Sequence, residues 1–212
     1  MIRGVTFDLW GTLIMNSKAY DHRIRSKREE LLYAAVEGKV SREELSKALK
    51  DSWTHIQSVR STLRDVPTSE QVSLLQTQLG VTANLEKPYT EAVFCELPEI
   101  NPYAKDVLSQ LETKIGLISN TGRTPGNVLR RLLDSMEIFE VFDVTVFSNE
   151  VGYLKPHLRI FEQASKGLGV PLSDILHVGD DVITDIEGGC AAGMHTLHVK
   201  EPHDLQRVTE LV

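Results

Sequence analysis

Four short stretches of this 212-residue chain carry side chains able to do chemistry: FDLWGT at Phe7–Thr12, SNT at Ser119–Thr121, the lysine of YLKP at Lys155, and GDDVITD from Gly179 to Asp185. Asp8 sits at the tip of a predicted strand, facing the same edge as the other three stretches. In several families that hydrolyse bonds through a strand-end aspartate a second carboxylate stands two residues further on, and here that place holds Trp10. Each stretch alone is weak evidence. An aspartate after a strand is more often a turn or cap residue, SNT could cap any helix, GDD could close any tight turn, and Lys155 before Pro156 could be a solvated loop lysine. Their shared position says more: each lies at the tip of a predicted strand or in the loop that follows one.

Those strands are legible from residue type. Ile2–Leu9, Lys114–Ser119, Val144–Phe147, Ile175–Val178 and a last strand near Thr196–Val199 are rich in β-branched and apolar residues. Between them, apolar spacing predicts helices around Ala104–Leu111 and Val128–Leu133, from about His157 to Leu168, and through Ile186 and Ala191. This alternation implies an α/β fold, a doubly wound parallel sheet covered on both faces. From about Ser17 the texture turns helical. Arg28–Val36, Ser41–Leu63 and Ser69–Leu79 carry apolar residues at helical spacing, with Leu45, Leu49, Ile56, Val59 and Leu63 forming one stripe and SREE at Ser41–Glu44 a capping box. We therefore expect a core of residues 1–16 and 99–212 and an all-helical cap domain of residues 17–98. Inserted after the first strand, the cap would overhang the carboxyl edge where open parallel sheets bind ligands.

Composition narrows the partners. A net charge of −7 and a pI near 5.5 disfavour nonspecific nucleic-acid binding, which depends on clustered Lys and Arg, and point to a small-molecule substrate. No stretch reads as a membrane span, and Met1 leads directly into a strand pattern with no room for a signal peptide. Cys95 and Cys190 form no CxxC pair and imply neither disulfide framework nor zinc site. The expected compartment is the cytoplasm. Oligomeric state is left open.

In their order along the chain, FDLWGTL, LISNT, the lysine of YLKP, and HVGDDVITD followed by IEGGCAAGM resemble the motifs of the haloacid dehalogenase-like superfamily. The resemblance covers residues 1–16 and about 99–212, while the intervening segment carries no signature. It implies a Rossmann-like core in which Asp8 attacks phosphorus and forms an aspartyl phosphate. It also implies Mg²⁺ held by Asp8, Asp180 and the main-chain carbonyl of Trp10, with Asp181 or Asp185 in support. Ser119, amides around Asn120, and Lys155 would hold the phosphoryl oxygens, and Thr12 would support the first motif. Physical need agrees, since two anions about 4 Å apart repel by roughly 4 kcal/mol at an effective dielectric of 20, and cations must offset that.

Trp10 departs from the phosphatase pattern. Among family phosphatases its place usually holds the aspartate that protonates the leaving group and activates water, so the resemblance implies slow turnover that is least impaired for acyl or aryl phosphates. The 2-haloacid dehalogenases of the superfamily carry tyrosine there and work without metal. They have a Ser/Asn-type fourth motif, however, where this chain has GDD and Asp185. In that alternative Arg23 or Arg25 would clamp a substrate carboxylate, although a charge run such as HRIRSKREE is more often a solvated helix face. A third alternative is a protein that binds a phosphorylated ligand, or holds a phosphoaspartate as a signal, with little turnover.

Several residues have plainer readings. His22 is a weak candidate for the missing acid–base group. His177 reads as a satisfied buried histidine, and His195 and His198 cannot share a metal from opposite faces of a strand. Trp53 reads as packing within the helical insertion, and Cys190 as a small packing residue where a helix meets the sheet.

Overall fold

The chain, described here by a computed structural model covering residues 1–36 and 38–212, is built on five parallel strands. These are β1 (Gly4–Phe7), β2 (Lys114–Ser119), β3 (Val144–Phe147), β4 (Ile175–Gly179) and β5 (His195–His198), in spatial order β3-β2-β1-β4-β5. β1 and β4 are buried along their whole length because both faces of the sheet are covered. On one face Phe7, Leu9, Leu129, Leu133 and Val178 belong to the larger core. A second cluster, with Ile118, Val146, Ile160, Phe161 and Ile175, covers the other. The fold is the doubly wound α/β arrangement.

Register explains why the polar stretches meet. Phe7 pairs with Leu117 of β2 and with Val178 of β4, so Asp8, Ser119 and Asp180 emerge together at one carboxyl edge. β1 is also where the strand order reverses, with β2 and β3 on one side and β4 and β5 on the other. That is the position at which open α/β sheets form a ligand crevice.

The segment after β1 contains α1 (Lys18–Ala35), α2 (Arg42–Arg60), α3 (Thr68–Leu79) and α4 (Glu86–Thr90). Leu32, Leu45, Val72, Leu75, Leu85 and Tyr89 give these helices a hydrophobic cluster of their own. Ser41 and Glu44 form the capping box of α2. α1 starts ten residues before the expected Arg28, capped by Ser17. Its first turns are too polar to show a stripe, and they are held by Tyr20 and Ile24 packing against Ala92 and Trp10. The α2 stripe also ends early: Leu63 lies beyond the helix at φ 60°.

That break joins the inserted helices to the sheet. Arg64 bridges Tyr153, Leu154 N donates to Leu63 O (3.0 Å), and Asp65 N donates to Gly152 O (3.2 Å). The buried Asp65 carboxylate pairs with Arg60 and accepts from the Ser148 hydroxyl and from Thr121 Oγ1 (3.2 Å). One carboxylate thus ties α2 to the tips of two core strands. Among the described residues no helix is long and apolar enough to cross a membrane.

Asp65→Ala should strand the Arg60 charge and leave two buried hydroxyls without their acceptor. We expect a loss of about 3 kcal/mol, or roughly 6–12 °C in thermal midpoint, in a denaturation experiment. An unchanged midpoint would remove Asp65 as the tie.

Candidate active site

Lys155 stands at the centre of the carboxyl edge. It follows α5 (Ala104–Gln110), α6 (Gly126–Ser135), β3 and the short α7 (Ser148–Val151). Asn120 fixes its main chain: Lys155 N donates to Asn120 Oδ1 (2.7 Å) and Asn120 Nδ2 donates to Lys155 O (3.0 Å). Lys155 is 2% exposed, and its ammonium uses all three donors, to Asp8 Oδ1 (2.6 Å), Asp185 Oδ1 (2.6 Å) and Ile118 O (2.9 Å). Burial opposes its charge, but Asp8 and Asp185 outweigh that and raise its pKa above the ordinary lysine value.

Asp185 arrives by an unusual turn. Val182–Glu187 is π-helical rather than α-helical, with Ile186 N as well as Asp185 N directed at Asp181 O. The wide turn brings the Asp185 carboxylate over Gly179, where any Cβ would collide with it. Asp185 also contacts His177 Nε2 (3.1 Å), and His177 Nδ1 lies 2.9 Å from Thr6 Oγ1. Because a carboxylate only accepts, the neutral ring donates from Nε2 and accepts the threonine hydroxyl at Nδ1. Burial lowers the His177 pKa. Burial also disfavours ionised Asp185, but Lys155 and His177 overcome it and hold its pKa well below the carboxylate range.

Asp8 is treated differently. Burial, partly offset by Lys155 and reinforced by Asp185 and Asp180, raises its pKa to about 7. Its Oδ2 has no protein partner among the described residues. Asp180 is more exposed, and its pKa is raised by burial and by Asp185. It packs over Gly11, whose φ of 84° and missing Cβ leave room for the carboxylate. One oxygen each from Asp8, Asp180 and Asp185 lies within 4.8 Å of the others. These hard oxygens suit a small divalent cation, and a single lysine facing three carboxylates leaves negative charge that such an ion would offset.

Asp181 does not join them. Its exposed side chain accepts from Ile183 N (2.9 Å) and Thr184 N (2.7 Å), capping the π-turn. Ser119 Oγ and Thr12 Oγ1 are buried without a protein partner. The Trp10 indole lies 6.4 Å from the Tyr20 ring, centroid to centroid, and lines a cavity of about 220 Å³ between the inserted helices and the sheet edge. His22 is exposed and outside that lining, and Arg23 is engaged with Glu96 (2.8 Å), whereas Arg25 borders the cavity. Trp53 is not buried packing: it faces the cavity with Arg123 4.3 Å above its ring. Cys190 is exposed, and Gly188 and Gly189 make the close approach instead.

The links from His177 to Asp185 and from Asp65 to Thr121 escape a reading of the sequence. The strand position of His177, two residues before Gly179, is the available signal for the first. Nothing local signals the second.

A family profile described as haloacid dehalogenase-like hydrolase matches residues 2–193. The chain belongs to the haloacid dehalogenase-like hydrolases. A relative named glyceraldehyde 3-phosphate phosphatase, from Methanopyrus kandleri, is 26% identical over 207 residues, covering 94% of this chain and 84% of the relative. Phosphoglycolate phosphatase of Escherichia coli O157:H7 is 28% identical over 214 residues, covering 91% and 79%. A solved 2-haloacid dehalogenase from Pseudomonas syringae pv. Tomato DC3000 shares the fold at TM-score 0.65 and 22% identity, covering 100% of this chain and 98% of that one. The hydrolase fold therefore matches solved relatives along essentially its whole length.

The raised pKa of Asp8 sets a stability test for this hydrolase. The folded state keeps the Asp8 proton up to about pH 7, while the unfolded chain releases it near 3.8, so this group's contribution to stability falls as pH rises through that window. Asp8→Asn should therefore stabilise the metal-free protein by about 2 kcal/mol or more at pH 8, and by little at pH 4. Thermal midpoints of both proteins across this range provide the check; a gap that does not widen with pH would contradict the assignment.

Proposed function

We propose that this chain is a magnesium-dependent phosphatase for a small phosphorylated metabolite, working through an aspartyl phosphate on Asp8. The observation that carries the reading is the disposition of charge: one buried lysine faces three clustered carboxylates, and one oxygen of the nucleophile is left unpartnered. The two phosphatase relatives support the same reaction class. Asp8, Asp180 and the Trp10 carbonyl would hold Mg²⁺, with Asp185 rather than Asp181 in support. When bound, the ion would offset the repulsion between Asp8 and the incoming phosphoryl group.

The residues divide the work. Lys155 anchors Asp8 Oδ1 and fixes the carboxylate, leaving Oδ2 to attack phosphorus as the bond to the leaving oxygen breaks. The Ser119 hydroxyl, buried and unpaired, donates to a phosphoryl oxygen, and main-chain amides around Asn120 donate to others. The Asn120 side chain itself holds Lys155 in place. Thr12 supports the first motif from within the core. Water then attacks the aspartyl phosphate, releasing phosphate and restoring Asp8. The helices of residues 17–98 act as the cap, and the protein works in the cytoplasm.

Trp10 has no acid–base function, so the leaving group must take its proton from solvent or depart as a stable anion. Magnesium-dependent phosphate release should be faster from acetyl phosphate or p-nitrophenyl phosphate than from alkyl phosphates. Trp10→Asp should raise the alkyl phosphate rate by about 10²–10⁴ while changing the acyl phosphate rate far less. No phosphate release from any of these with Mg²⁺ would refute the proposal. The aromatic residue at position 10 favours one competing reading, the metal-free dehalogenase, and chloride release from 2-chloropropionate in EDTA would establish that instead.

A further inference from the structure

The cavity beside Trp10 and Asn120 contains a second concentration of charge, made of residues other than the carboxylate cluster. Arg28 on α1 is 7% exposed and lines this cavity. Its Nε donates to Tyr89 O (2.7 Å), but its two terminal nitrogens have no protein partner among the described residues. Arg123, four residues after Ser119, approaches from the core side. Its guanidinium lies 4.3 Å from the centre of the Trp53 ring and 5.9 Å from that of Tyr89. Its Nε is buried without a partner, and among the described residues the guanidinium is held by a long hydrogen bond from Nη2 to Leu49 O (3.4 Å) and by its closeness to Tyr89.

The two guanidinium groups repel each other. Burial first, then Arg123 and Arg25, lower the Arg28 pKa to about 10. Among the described residues no carboxylate lies within ion-pair distance of Arg25, Arg28 or Arg123. Asp21 at the rim and Glu29 in the adjoining groove are the acidic residues of this neighbourhood, and neither pairs with them. Structural arginines are ordinarily buried against a carboxylate or several carbonyls, because an uncompensated buried charge is costly. Here no carboxylate supplies that compensation, while the Arg123 guanidinium is already held over the Trp53 ring. Such a fork presents parallel donors to a planar anion.

We infer that Arg28 and Arg123 form a subsite for a carboxylate on the substrate, so that the preferred substrate is a small phosphorylated carboxylic acid held at both ends. This rests on the phosphatase reading above for the phosphoryl end. Trp10, two residues after Asp8, and Asn120, the residue after Ser119, line the same cavity as the two arginines, so the subsite adjoins the segments that carry the reacting groups. At about 220 Å³ the cavity has room for a compact metabolite.

Non-hydrolysable probes separate this inference from turnover. Phosphonoacetate and ethylphosphonate present the same phosphonate, and only the first adds a carboxylate. Calorimetry of the wild-type protein with Mg²⁺ should show phosphonoacetate binding about ten-fold tighter or more, as expected for a charge-assisted hydrogen-bonded pair. That preference should collapse in Arg123→Met and in Arg28→Met, and persist in Lys27→Met, which removes a solvent-exposed charge from the same helix. Arg123 is only half-buried, so its variant keeps the test intact if Arg28→Met does not fold. Equal affinities in the wild type, or a preference that survives Arg123→Met, would overturn the subsite while leaving acetyl phosphate hydrolysis to support the phosphatase reading. Absence of both phosphonate binding and acetyl phosphate hydrolysis would overturn that reading and the subsite with it.

Discussion

A buried ammonium surrounded by carboxylates is the constraint from which most of this molecule's arrangement follows. Lys155 has no donor left over, so its position is set simultaneously by Asp8, Asp185 and the Ile118 carbonyl. Each of those groups belongs to a different part of the sheet edge. The parallel register of β1, β2 and β4 is therefore a condition for the charge cluster, and the cluster in turn penalises any slip of register. Asn120 adds a second level of control by gripping the lysine main chain rather than its side chain.

The same constraint separates carboxylates that look alike in sequence. Asp185 is stabilised as an anion by Lys155 and His177, whereas Asp8 shares the same lysine without a histidine and is driven toward protonation by burial. Asp181 lies outside the competition because it caps its own turn. Two glycines make the crowding possible. Gly11 and Gly179 each lie where a side chain would displace Asp180 or Asp185, so a methyl group at either place would disturb the electrostatics before it disturbed the hydrophobic core.

Much of the fold was readable because its strands are runs of β-branched and apolar residues. VTVF became a strand with the expected bounds, and KIGLIS likewise. Once the sheet is parallel, strand tips must share an edge, which is why Asp8, Ser119, Lys155 and Asp180 could be grouped from spacing. Features made by tertiary contact were not readable. The start of α1 has too few apolar positions to show a period and is held by Trp10 and Ala92. The π-turn that sets Asp185 apart from Asp181 differs from an α-helix by one residue in hydrogen-bond spacing, and residue types alone do not encode that. Arg28 and Arg123 lie far apart in the chain, and Arg28 sits within what reads as an ordinary solvated charge run.

The short bridge between Leu63–Asp65 and Gly152–Leu154 ends one residue before the buried lysine. The inserted helices are thereby geared to the backbone that carries the site's cation. That contact places the inserted layer one peptide away from the lysine whose ammonium holds both Asp8 and Asp185. Two main-chain hydrogen bonds, flanked by left-handed turns at Leu63 and Gly152, are thus what joins the inserted helices to the loop that carries the site's cation.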